Sequence, residues 1–168
     1  GALEANTALQ SLSLKWNVLG PEGAGPLLLA LRTNSTLQSL VLEFNNLGDD
    51  GAKVVAEMLS ANRALQALDL TNNHIGPGGG KNIAGALEAN TALQSLDLSR
   101  NHVGHGGANA LAESLKVNGT LQLLSLYGND IGAEGVTALA AILSETNITN
   151  LKCAAGTMAP KYLPGSCR

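Results

Sequence analysis

Five stretches of this chain are variants of one 28-residue unit. Leu9, Leu37, Leu65, Leu93 and Leu121 each open the pattern L-x-x-L-x-L-x-x-N-x-Φ-G, where Φ is Leu, Ile or Val, and each start lies 28 residues after the last. One segment recurs letter for letter, as GALEANTALQSL at Gly1–Leu12 and again at Gly85–Leu96, three periods apart. A fixed period of this length specifies a solenoid, in which each unit packs only on its neighbours, and not a globule built around one central pocket. That makes enzymatic activity an unfavoured expectation and binding a favoured one.

The repeats run Leu9–Thr36, Leu37–Ala64, Leu65–Ala92, Leu93–Thr120 and Leu121–Asn147, the fifth being one residue short. A degenerate sixth start follows at Ile148, Leu151 and Cys153, and there the expected Asn is replaced by Gly156. We therefore expect a repeat domain over 1–153 and an irregular cap or tail over 154–168, which contains Pro160, Pro164 and Gly165. Gly1 aligns with Gly85 in the second half of a repeat, so the chain starts in mid-unit without a polar cap. The expectation is a piece of a longer array, or an open end that pairs with a second copy.

Each unit changes period halfway. Leu40-Val41-Leu42 and Leu68-Asp69-Leu70 alternate as short strands do. Equivalent strands joined by a crossover must pair in parallel. The second half takes helical spacing: Ala52, Val55, Ala56 and Leu59, then Ala108, Leu111, Ala112 and Leu115, then Val136, Leu139, Ala140 and Leu143. Glu22, Asp50 and Glu134 are expected just before these helices, at the positive end of the dipole. Gly20, Gly48, Gly76, Gly104 and Gly132 are expected to permit the entering turn. Helices are wider than strands, so the stack bends into an α/β horseshoe segment with the parallel sheet on the concave face and the helices on the convex face.

Composition narrows the partners. Hydrophobic residues make up 45% of the chain and aromatics only 2%, so the core is aliphatic. A net charge of −3 with no basic stripe argues against nucleic acid, and no apolar run reaches membrane-spanning length. Two cysteines are too few for a disulfide scaffold. Cys153 reads as a small buried hydrophobe at a Leu position, and a bond from it to Cys167 would tie down the tail in an oxidising compartment.

The segment LQSLDLSRNHVGHGGANALAESLKVN resembles a leucine-rich repeat of the ribonuclease-inhibitor class. The period, the I/L/V-G-x-x-G loop and the ALAxxLxxN helix are most similar to the ligand-sensing arrays of cytosolic NOD-like receptors, with ribonuclease inhibitor and the Ran GTPase-activating proteins in the same class. The resemblance covers 1–153 and implies a cytoplasmic, non-enzymatic protein-binding module without a cofactor. It also implies a buried asparagine ladder at Asn17, Asn45, Asn73, Asn101 and Asn129. The nucleotide-binding and effector domains of such receptors have no counterpart in this sequence, so no ATPase activity carries over. An enzyme inhibitor, a GTPase regulator and an oligomerisation segment are the alternative roles. A second series, Asn34, Asn62, Asn90 and Asn118, reads as helix-capping or turn residues. Asn34, Asn118 and Asn147 stand in glycosylation sequons, read as coincidental to a structural role unless the protein is secreted.

The rare aromatics carry the clearest functional signal. Trp16, Phe44 and Tyr127 occupy the two variable slots between the last strand Leu and the ladder Asn. Exposed there, they would anchor a protein interface; the plainer reading is that they shield the ladder Asn or help close a truncated end. Lys15, Glu43, Asp69, Thr71, Asp97, Ser99 and Arg100 share that wall, a mixed polarity suited to a protein surface. His74 and His102 fall in one slot of consecutive repeats and, with Asp69 and Asp97, are weak metal candidates set against an ordinary surface reading. GPGGGKN at Gly76–Asn82 fails the phosphate-loop pattern, because Ile75 and Asn82 replace its first Gly and its Ser/Thr. Ser11, Ser39 and Ser95 are repeat letters without a partner base, so no nucleophile is indicated.

Overall fold

The computed structural model describes residues 1–153. Its elements alternate as the two periods require: α1 (Ala2–Ala5), β1 (Ser11–Ser13), α2 (Gly20–Leu31), β2 (Ser39–Val41), α3 (Gly48–Ala61), β3 (Ala67–Asp69), α4 (Pro77–Ala89), β4 (Ser95–Asp97), α5 (Gly104–Leu115), β5 (Leu123–Ser125), α6 (Gly132–Ile142), a 3-10 turn (Leu143–Glu145) and β6 (Asn150–Lys152). The strands form one parallel sheet in sequence order. Repeat positions pair with themselves, Leu40 with Leu68, Leu68 with Leu96 and Leu96 with Leu124. The degenerate sixth start also forms a strand, and there the register drops to a 27-residue offset, Leu124 against Leu151.

The core lies between sheet and helices. Leu40, Leu68, Leu96 and Leu124 enter it from the strands, and Val55, Leu59, Leu111, Leu115 and Leu139 from the helices, all at most 2% exposed. Burying each such side chain contributes about 1.5–3 kcal/mol before entropy is subtracted. Cys153 and Leu151 are buried as the pattern expects. The tail 154–168, and with it the Cys153–Cys167 pairing, lies outside the described residues. At the β1 end Leu12, Leu14 and Leu19 are only partly buried, whereas their counterparts Leu40, Leu42 and Leu47 are fully buried.

The first asparagine series forms a ladder in the core. Asn101 donates through Nδ2 to the carbonyls of Leu70 and Leu98, both at 2.9 Å, and accepts at Oδ1 from the N–H groups of Asn73 and Ile75 at 2.9 and 3.0 Å. Asn45, Asn73 and Asn129 are buried in the same role. Asn17 departs from the expectation. It is exposed and bonds only the carbonyls of its own turn, Leu14 and Lys15, because no earlier strand turn stacks against it.

The second series is more than capping. Asn34, Asn62, Asn90 and Asn118 are also buried. Asn62 donates to the carbonyls of Leu31 and Asn34, at 2.6 and 3.0 Å, in the preceding repeat. Its Oδ1 accepts from the N–H groups of Ala64 and Leu65 at 2.9 and 2.7 Å, turning the chain into β3. The sheet is therefore flanked by two asparagine ladders, one at each end of its strands.

The helix entrances refine three expectations. Glu22, Asp50 and Glu134 lie inside the first helical turn, because the helices begin at or next to the turn glycine. Gly20, Gly48, Gly104 and Gly132 adopt φ near +60°, as expected, but Gly76 does not. Its N–H turns away from the neighbouring turn and donates to Asp49 Oδ1 at 2.6 Å, while the Ile75 carbonyl accepts from His102 N–H at 2.7 Å. The glycine-rich loop admits this carboxylate: a Cβ on Gly78 or Gly79 would lie 2.6 or 2.7 Å from an Asp49 oxygen. The loop thus cradles an anion, and the anion is the chain's own.

Candidate functional site

Each strand is followed by an outward turn whose geometry repeats. The backbone ladder runs past the strands, with Trp16 N–H donating to Glu43 O and Phe44 N–H to Thr71 O, both at 3.0 Å. The residue in this slot is left-handed in every repeat: Trp16, Phe44, Asn72 and Arg100 have φ between 54° and 63°, and Gly128 has 70°. Non-glycine residues bear a steric penalty there, so the conformation belongs to the repeat and not to one special residue. Its effect is to swing the side chain of the slot out of the strand and over the edge of the sheet.

In the first two repeats those side chains are aromatic. Trp16 and Phe44 stack with ring centroids 3.6 Å apart and planes at 11°. Trp16 is nevertheless 63% exposed, because Phe44 covers only one of its faces. Beside them Lys15 Nζ lies 2.5 Å from the Glu43 carboxylate, one slot earlier in the same two repeats. The Lys15 side chain is 44% exposed and that of Glu43 only 18%, and the pair holds both side chains next to the rings. Tyr127 is 51% exposed, three repeats away from Phe44 in the slot of Lys15 and Glu43. The structure brings Trp16, Phe44, Lys15 and Glu43 together and leaves Tyr127 at the other side of the described array.

Asp69 and Asp97 pair in register on the sheet face. Each uses Oδ1 to accept the N–H two residues on, from Thr71 at 2.9 Å and from Ser99 at 2.8 Å, closing the turn out of the strand. Both residues border a shallow depression with Ser39, Val41, Ala67, Ser95, Leu123 and Lys152. Lys152 and Leu123 on this wall were missed in the sequence, although the same register leads to them once the short fifth repeat is counted. Arg100 is exposed and Thr71 half-buried. Ser99 is buried, with its hydroxyl 2.7 Å from that of Ser125, so it is removed from the accessible wall.

His74 and His102 face each other with centroids 6.1 Å apart. Asp69 and Asp97 do not join them, and among the described residues no three His, Cys, Asp or Glu side chains converge as metal ligands. No helix among the described residues is long and apolar enough to cross a membrane.

A family model described as "Leucine Rich repeat" matches five segments, residues 5–28, 33–56, 61–84, 89–112 and 117–140. No curated protein matches the sequence. Among solved structures the chain is similar to the actin-binding site 2 of leiomodin-1, with a TM-score of 0.74 at 24% identity over 86% of this chain and 84% of that one. It is also similar to the tropomodulin C-terminal domain of Caenorhabditis elegans, with a TM-score of 0.72 at 13% identity over 85% and 87% of the two chains. At these identities the likeness is one of fold.

Proposed function

This chain belongs to the leucine-rich repeat family, and from that premise we propose that it is a non-enzymatic module that binds a protein through the concave edge of its sheet, with Trp16 and Phe44 as the anchor. The observation that carries this reading is the stacked pair: a rigid aromatic surface, more than half exposed on its Trp16 side, beside a positioned Lys15–Glu43 pair. Large, pre-ordered aromatics lose little entropy on binding and dominate interface energetics. Asp69, Asp97, Arg100, Thr71 and Tyr127 extend the surface along the wall, and Ser99 supports it from beneath. The finer roles implied by the sequence resemblance, a cytosolic innate-immune sensor, a ribonuclease-inhibitor-like inhibitor or a GTPase regulator, would all use this wall and differ in the partner.

The fold likeness to an actin-binding site supplies the first protein to try. Purified actin, and separately a cytosolic extract, are presented to the parent chain and to a Trp16→Ala, Phe44→Ala, Tyr127→Ala variant of matched circular dichroism. Retention by the parent with at least tenfold weaker retention by the variant supports the reading and identifies the partner. Equal retention moves the site to the helices or loops. Concentration-dependent dimerisation with no other partner would instead favour self-association through the partly exposed Leu12 and Leu14 end.

A further inference from the structure

Three sequons occur in the chain, at Asn34-Ser35-Thr36, Asn118-Gly119-Thr120 and Asn147-Ile148-Thr149. The fold treats them differently. Asn34 is 3% exposed and Asn118 is 5% exposed, both inside the second asparagine ladder. Asn34 Nδ2 donates to the carbonyls of Leu3 and Asn6, at 2.8 and 3.1 Å. Asn118 Nδ2 donates to those of Leu87 and Asn90, at 2.7 and 3.0 Å. Both hydrogens of each amide are therefore in use. The Oδ1 atoms are engaged as well, by Thr36 and Leu37 N–H in one case and by Thr120 and Leu121 N–H in the other. Asn147 is exposed and donates one bond, to Gly119 O.

N-linked glycosylation forms a bond from Asn Nδ2 to C1 of the sugar. It breaks the C1–O bond to the lipid pyrophosphate, which leaves as an anion, and it removes one Nδ2 proton. The product keeps a single N–H and carries a bulky polar group. At Asn34 or Asn118 that deletes one rung bond and places a sugar on a nitrogen whose two hydrogens both point at carbonyls of the preceding repeat. A carbonyl that loses its donor is destabilising in itself, and to carry the sugar outward the amide must swing away from the preceding repeat and give up the remaining bond as well.

We propose that glycosylation and folding of this chain are mutually exclusive at Asn34 and Asn118, so that Asn147 is the one sequon of the three whose modification the fold accommodates. The transferase reads extended chain before it folds, so a copy threaded through the secretory route is modified at the ladder positions and cannot close its repeats.

The test expresses the full chain in a eukaryotic cell with and without an added cleavable secretory signal. A Thr36→Ala, Thr120→Ala variant is expressed alongside; it destroys both buried sequons and keeps both ladder asparagines. The expected result is that the secreted parent acquires endoglycosidase-sensitive mass at Asn34 or Asn118 and is degraded by dilute protease. The cytosolic parent should resist protease, and the secreted variant should resist it while carrying a glycan at Asn147 only. Three results would overturn the proposal: a protease-resistant secreted parent glycosylated at Asn34 or Asn118, a resistant one left unmodified there, or a secreted variant as sensitive as the parent.

Discussion

At the scale of single residues, position in the stack decides what a letter means. Asn17 and Asn101 are the same letter in the same slot, yet one is exposed with bonds only inside its own turn and the other is buried and bonded to groups of its own turn and of the preceding one. Asn101→Ala leaves buried carbonyls and N–H groups unpaired and is expected to cost at least about 2 kcal/mol. Asn17→Ala should stay within about 0.5 kcal/mol; urea denaturation of the two variants reads the difference. Val18 is the opposite case, a β-branched residue held at φ 49° and 69% exposed, in the slot that Asn46 fills with φ 56°. Asparagine tolerates the left-handed region and valine does not. Val18→Asn should therefore raise stability by roughly 0.5–1 kcal/mol, measurable as a higher urea midpoint at unchanged slope.

At the scale of elements, the two halves of the repeat were legible in the sequence because their hydrophobic periods differ, and strands, helices and parallel pairing all followed. The ladder role of Asn34, Asn62, Asn90 and Asn118 was not, because a capping asparagine and a ladder asparagine have the same spacing along the chain. They differ only in what the next repeat offers. The stacking of Trp16 on Phe44 was foreseeable as neighbouring slots, but the burial of Ser99 was not, since it depends on the hydroxyl of Ser125 across the sheet. The turn at Gly76 was misjudged because an acidic residue 27 positions earlier claims its N–H. Helix glycines divide in the same way. A Cβ on Gly107 would lie 2.5 Å from buried Val103 and 3.5 Å from the Gly80 backbone, whereas one on Gly85 would meet nothing within 4 Å. Gly107→Ala is expected to destabilise by about 1–3 kcal/mol. Gly85→Ala should stabilise by about 0.5–1 kcal/mol, and thermal melts of the pair would separate packing from helix propensity.

At the scale of the whole molecule, stability is a sum over neighbouring units and so depends on how many neighbours a unit has. Identical letters illustrate it: Leu12 and Leu96 end the same twelve-residue segment, but Leu96 is fully buried and Leu12 is not. Hydrogen exchange should therefore be graded along the array. Amides bridging β1 to β2, such as Leu14 N–H, should exchange at least about tenfold faster than those bridging β3 to β4, such as Leu70 N–H. Uniform protection across the sheet would show a single cooperative unit and contradict the graded picture.

The two asparagine ladders also act as a counting device. Each rung reaches back a fixed 28 or 31 residues, so a unit one residue too long or too short is out of phase on both sides of the sheet at once. The fifth unit shows such a miscount: the 3-10 turn at Leu143–Glu145 takes up the shortage, Asn147 meets Gly119 instead of Asn118, and the hydroxyl of Thr146 is left buried without a partner. Lengthening or shortening of such an array is thus quantised. Whole units can be duplicated without loss, as in the verbatim segment at Gly1–Leu12 and Gly85–Leu96, while a single-residue change forfeits a rung and leaves a polar group unpaired, as the fifth unit does.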